Sequence, residues 1–196
     1  MAANAVWGLV LAGGRSRRMG HDKALLLRDG ETQLSRAVAL LGSLLERVFV
    51  SARADQATDA ERSKFAQIID RYENIGPVAG ILSAMEHNPA VDWLVMACDL
   101  PNVDERTIGV LLEQRSATQP VTAYRSSSDG LPEPLCAIYT PAAKPLLDAF
   151  VADGIICPRK MLIRSDTHLL TQPDPAALDN VNTPQDLERG KVRIAS

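Results

Sequence analysis

The segment "AVWGLVLAGGRSRRMGHDKALL" (residues 5–26) joins two kinds of sequence. Val6 to Leu11 are apolar or nearly so and do not alternate, as expected of a strand buried on both faces of a parallel sheet. They run into Gly13-Gly14, then Arg15, Arg17, Arg18, Gly20, Asp22 and Lys23, before the chain turns apolar again at Ala24. Open α/β sheets hold ligands beyond the carboxyl ends of their strands, and the first strand-to-helix connection is the usual phosphate seat. Gly13 and Gly14 let backbone N–H groups come close to an anion, because no Cβ stands in the way. Arg17, Arg18 and Lys23 add positive charge, and arginine grips phosphate with two nitrogens at once. The loop therefore reads as a seat for a polyphosphate; the competing reading is a solvated turn with incidental arginines. It matches neither the Walker A pattern nor GxGxxG.

Working outward, apolar β-type runs recur at 47–52, 66–70, 93–99, 119–124 and 134–139. Helical patterns lie between them. In 33–46, Leu34, Ala37, Val38, Leu41, Leu44 and Leu45 fall at spacings of three and four. Residues 77–87 and 104–115 read the same way. A helix is expected over 182–190, with Thr183 as N-cap, Pro184 at the first helical position and Asp186 two residues on. Strands alternating with helices predict βαβ units and a mostly parallel sheet. Residues 126–134 and 171–180 read as surface loops. With no repeat or linker, residues 1–196 read as a single domain.

Composition narrows the class. Of 196 residues, 46% are hydrophobic and 23% charged, ordinary for a globular chain. A net charge of −3 argues against a nucleic-acid partner and makes the basic cluster at 15–23 stand out. Cys98, Cys136 and Cys157 are odd in number and widely spaced, which argues against a disulfide framework or structural zinc. The three histidines, His21, His87 and His168, have no ligand spacing. No apolar run approaches the roughly 18 residues of a membrane span. The expectation is a reduced, cytoplasmic protein with no membrane partner.

"LAGGRSRRMGHDKALL" (11–26) resembles the signature of the MobA-like nucleotidyltransferases, enzymes that attach GMP to molybdopterin. Three further blocks match in order: "IGPVAGILSAM" (75–85), "VMACDLP" (95–101) and "NVNTPQDL" (180–187). The resemblance implies a Rossmann-like three-layer α/β/α fold of the nucleotide-diphospho-sugar transferase type. It implies GTP as donor, molybdopterin or Mo-molybdopterin as acceptor, Mg²⁺ as cofactor, and other molybdenum-cofactor pathway proteins as partners. By the same resemblance Leu11, Ala12, Gly13, Gly14, Lys23, Ser51, Asp70 and Asp99 bind the nucleotide. Asp99 is also the metal ligand, and Lys23, Asp99 and Arg18 are catalytic. Arg18, Gly76, Gly80, Asn180 and Asn182 face the acceptor. The family often carries Asn where Ser51 stands.

The residues support this partly on their own. A carboxylate at the end of a buried strand points into such a site, and Mg²⁺ often needs one or two carboxylates plus phosphate oxygens. The same Asp99 could instead start the 104–115 helix. Asp22 could orient Lys23 or an arginine. Gly80 could simply let a helix pack on the sheet. Arg159 and Lys160 could reach an acceptor phosphate, and Cys98 reads as a small core residue rather than a nucleophile. Rival functions are a molybdopterin cytidylyltransferase, whose members tend to carry LAAG, a transferase acting on a sugar or polyol phosphate, and a non-catalytic nucleotide-binding regulator. A regulator has no need of both Lys23 and Asp99.

Overall fold

The structure, a computed structural model, describes residues 4–13 and 22–179. In chain order the elements are β1 (Val6–Leu11), β2 (Leu27–Arg28), β3 (Glu31–Thr32), α1 (Gln33–Leu44), β4 (Val48–Ala52), β5 (Gln67–Ile69) and α2 (Pro77–His87). They continue with β6 (Asp92–Ala97), α3 (Glu105–Glu113), β7 (Val121–Arg125), β8 (Pro132–Tyr139), α4 (Ala143–Ala152), α5 (Pro158–Ile163) and β9 (Thr167–Thr171).

The unbroken apolarity of Val6–Leu11 has its reason in the sheet. β1 lies between β4 and β6, parallel to both. The described strands form a seven-stranded sheet in the order β5-β4-β1-β6-β8-β7-β9. Successive residues point to opposite faces, and each face carries its own core. Leu9, Trp93, Val95 and Tyr139 pack with Val78, Ile81 and Leu82 of α2, Leu147 of α4 and Met161 of α5. Val10, Leu94, Met96 and Ile138 pack with Leu34 and Leu41 of α1 and Ile108 and Leu111 of α3. The result is the expected three-layer α/β/α arrangement. Strand order reverses at β1: the chain runs outward through β4 and β5, and α2 then carries it back to β6. That is the switch point at which α/β sheets open a crevice.

Several expectations are corrected. The strand predicted over 93–99 is Asp92–Ala97, so Asp99 stands in the turn beyond it. The helix over 33–46 ends at Leu44, and the one over 104–115 is Glu105–Glu113. Asp104 is its N-cap, its carboxylate accepting from Thr107 N at 2.7 Å, so Asp99 does not start that helix. The loops over 126–134 and 171–180 both overlap strand, since β8 begins at Pro132 and β9 ends at Thr171. β8 runs antiparallel to β6 and β7, because so short a connection from β7 permits a hairpin and not a parallel crossover. The β2–β3 hairpin, α4, α5 and β9 are further additions. The hairpin turns on Asp29 and Gly30, at φ +53° and +86°, the two positive values of a type I′ turn. The predicted 182–190 helix lies outside the described residues.

Candidate active site

A cleft of about 830 Å³ opens where β1, β4, β5 and β6 end and α2 begins. Each strand delivers residues to it. β1 supplies Leu11 and leads into Ala12 and Gly13, β4 supplies Ser51 and leads to Arg53, β5 is followed by Asp70, and β6 by Asp99. Lys23, Gly76 and Gly80 also line it. Of the residues expected to bind substrates, Arg18, Gly14, Asn180 and Asn182 lie outside the described residues; all the others meet in this one space.

Lys23 and Asp99 face each other, with Lys23 Nζ 3.1 Å from Asp99 Oδ2 and both side chains 24% exposed. The turn holding Lys23 is built locally: Asp22 caps the single 3-10 turn Lys23–Leu25 by accepting from Ala24 N at 3.0 Å. The turn after β6 is pinned from the other side, where Arg28, buried in the hairpin, donates to Pro101 O at 2.8 Å. Asp22 does orient an arginine: Arg62 Nη2 donates to its Oδ2 at 2.6 Å.

The wall formed by Ser51 and Asp70 is tighter. Ser51 Oγ donates to Asp70 Oδ1 at 2.7 Å. Burial raises the Asp70 carboxyl above its ordinary range, a shift opposed by the Ser51 hydrogen bond and the Arg53 charge. Gly13 and Gly80 are glycine for close approach. A Cβ on Gly13 would lie 3.1 Å from Asp70 Oδ2, and one on Gly80 would lie 2.3 Å from Ser51 Oγ. Gly76 starts α2 at φ +62°, a backbone state that side chains resist, with Pro77 next.

Other expectations resolve plainly. Cys98 is buried, and burial with the nearby Asp99 and Asp22 charges pushes its thiol up to about 12, so it stays protonated and inert. Arg159 bridges two carboxylates, Asp129 at 3.0 Å and Glu133 at 2.7 Å. Sequence reading passed over Arg53, Tyr72, Glu73 and Asn74, which also line the cleft, and the buried Arg62 behind it. None belongs to a matching block, and a lone charged residue in a connection carries no signal of burial.

Among the described residues no cluster of three His, Cys, Asp or Glu side chains is placed to enclose a metal ion. The donor set does fit Mg²⁺ carried on a polyphosphate. That ion is hard, keeps several waters, and takes one or two carboxylates plus phosphate oxygens. Asp99, partly exposed in the cleft, supplies such a carboxylate.

Comparison with known proteins agrees with this geometry. Residues 8–169 match the model of the MobA-like NTP transferase domain. A Synechocystis protein named molybdenum cofactor biosynthesis bifunctional protein is 37% identical over 181 residues, which cover 92% of this chain and 52% of that protein. The chain thus spans about half of that relative's length. A Bacillus cereus protein named probable molybdenum cofactor guanylyltransferase is 31% identical over 198 residues, with 96% of this chain and 97% of the relative covered. In three dimensions the chain is similar to molybdopterin-guanine dinucleotide biosynthesis protein A from Archaeoglobus fulgidus, at a TM-score of 0.79 and 24% identity, covering 96% and 98% of the two chains. With residues 8–169 matched and the cleft opening where β1 gives way to Ala12-Gly13, the chain belongs to the MobA-like NTP transferase family.

Proposed function

We propose that this chain is a molybdenum cofactor guanylyltransferase, moving GMP from GTP to molybdopterin or Mo-molybdopterin and releasing pyrophosphate. The carrying observation is that Leu11–Gly13, Lys23 and Asp99 converge on one cleft. The names of the Synechocystis and Bacillus relatives support the choice of acceptor pathway. The cytoplasm suits its three free cysteines.

In this reading the backbone of Leu11–Gly13 faces the guanine edge, with Ser51 and Asp70 beside it. Lys23 holds the phosphates. An oxygen of the acceptor's terminal phosphate bonds to the α-phosphorus of GTP, and the bond from that phosphorus to the bridging oxygen of the β-phosphate breaks. The protein needs no covalent intermediate; it aligns the two phosphates and offsets their charge. Asp99 would hold Mg²⁺, which when bound neutralises charge on the phosphate oxygens.

Calorimetric titration with the four nucleoside triphosphates tests the base assignment. GTP should bind more tightly than CTP or ATP by about 1–3 kcal/mol, the scale of a few well-placed hydrogen bonds. Pyrophosphate release should require GTP and the pterin together. Equal affinities, or release with CTP, would overturn the assignment.

Lys23→Ala should weaken GTP while leaving guanosine affinity unchanged. Its melting temperature should scarcely move, because a partly exposed ion pair is worth only about 0–1 kcal/mol. A large fall in melting temperature with GTP affinity intact would make Lys23 structural.

A further inference from the structure

Arg62 sits on a single 3-10 turn (Arg62–Lys64) in the β4–β5 connection, and its side chain is fully buried. Its Nε and Nη2 both donate to Ala12 O, at 3.2 and 2.6 Å. Nη2 also donates to Asp22 Oδ2 at 2.6 Å. On the third side Nη1 faces Asp59 Oδ1 at 3.6 Å. Burying a guanidinium is costly, and apolar side chains of like volume often serve a fold as well or better. The fold alone gives no reason for this one.

Its two main partners do. Ala12 follows β1 and Asp22 caps the turn that carries Lys23. Between them lies the glycine-rich basic segment, residues 13–21. One planar guanidinium thus fixes both ends of that segment at a single point. Lysine does this less well: one ammonium can meet the two acceptors that Nη2 meets, but it has no rigid plane to add the Nε bond to Ala12 O or to set a further N–H toward Asp59.

We infer that Arg62 is a positioning residue of the nucleotide site, setting the distance between the backbone that faces the base and the lysine that holds the phosphates. The inference rests on the assignment of Leu11–Gly13 to the base and Lys23 to the phosphates. Its two arms have separable effects. The Ala12 arm holds the base seat; the Asp22 arm holds the phosphate seat.

The test titrates guanosine and GTP into Arg62→Lys and Asp22→Asn, with melting temperatures recorded. Arg62→Lys should raise Kd for both ligands by about tenfold or more, by analogy with the loss seen when the hydrogen-bond partner behind a metal ligand is removed. Asp22→Asn keeps an oxygen for Ala24 N but weakens the grip of Arg62, so it should raise Kd for GTP and leave guanosine alone. Wild-type Kd values in both variants, with only the melting temperature lowered, would overturn the inference. An equal loss for both ligands in Asp22→Asn would overturn it too. Should Arg62→Lys fail to fold, the split in Asp22→Asn decides. A wild type that prefers another triphosphate removes the guanine assignment alone, and the variants are then titrated with that triphosphate and its nucleoside. A wild type that binds no triphosphate removes both.

Discussion

Asp99→Asn lowers kcat by at least about 100-fold, with the unliganded melting temperature held or slightly raised. The size follows from the charge that develops on transferring phosphate. A metal ion placed against it is worth several kcal/mol, and an amide in place of its carboxylate ligand loses much of that. Stability holds for two reasons. The Lys23–Asp99 pair is partly exposed, so breaking it costs roughly 0–1 kcal/mol. The helix that follows has its own cap in Asp104, so Asp99 is not needed to start it. Carboxylates placed for chemistry are also often a burden on the empty site. GTP binding in EDTA should be little changed, and binding with Mg²⁺ should weaken. Steady-state turnover against Mg²⁺ concentration, beside a thermal melt, makes the check. Normal turnover would send the search for the metal ligand to Asp70 or Asp22. Asp22 is the poorer candidate, because Arg62 and Ala24 N already occupy its oxygens.

What could be read in advance followed contrast in the sequence. β1 throughout and β6 from Trp93 onward are apolar because they are central and covered on both faces, and a continuous run of that kind is hard to mistake. The end of β6 inherits the same clarity, so Asp99 is expected in the cleft from the strand it follows, whereas Asp70, after the short edge strand β5, is marked by the family resemblance. β9 is different: it is an edge strand with one buried residue, Leu170, so no apolar run marks it, and its last residue, Thr171, falls in the predicted loop. The α4 pattern was present in Leu146, Leu147, Phe150 and Val151, but Pro145 near its start and Gly154 just after it give it the look of a turn region. Arg62 was out of reach for another reason. Its burial depends on Ala12 and Asp22, 50 and 40 residues away, and nothing local distinguishes it from a surface arginine. Asp22 was legible only as a carboxylate that orients a neighbour; which arginine it holds is a property of the fold.

Gly80→Ala separates the two readings of that glycine. If the position serves the acceptor through close approach, the added methyl should raise the acceptor KM and leave the fold alone. The structure aims the missing Cβ elsewhere. It would stand 2.3 Å from Ser51 Oγ, 2.8 Å from Leu11 Cδ2 and 3.0 Å from Ser51 Cβ. Ser51 Oγ can rotate, but only by giving up its 2.7 Å bond to Asp70. Ser51 Cβ can yield only if β4 shifts or α2 lifts off the sheet. Overpacking of this kind costs about 1–3 kcal/mol, and the lost hydrogen bond adds about 0.5–1.5 kcal/mol. In a chain of this size each kcal/mol lowers Tm by about 2–4 °C. The expected melt is therefore several degrees lower. In the proposed reading GTP affinity should fall with it, because Asp70 loses the serine that orients it in the cleft wall. Adding Ser51→Ala removes the closest clash but not the contacts with Leu11 Cδ2 and Ser51 Cβ. The double variant should thus recover part of the stability of Gly80→Ala and none of the Asp70 hydrogen bond. A Gly80→Ala variant with wild-type Tm and a raised acceptor KM would return the glycine to the acceptor site.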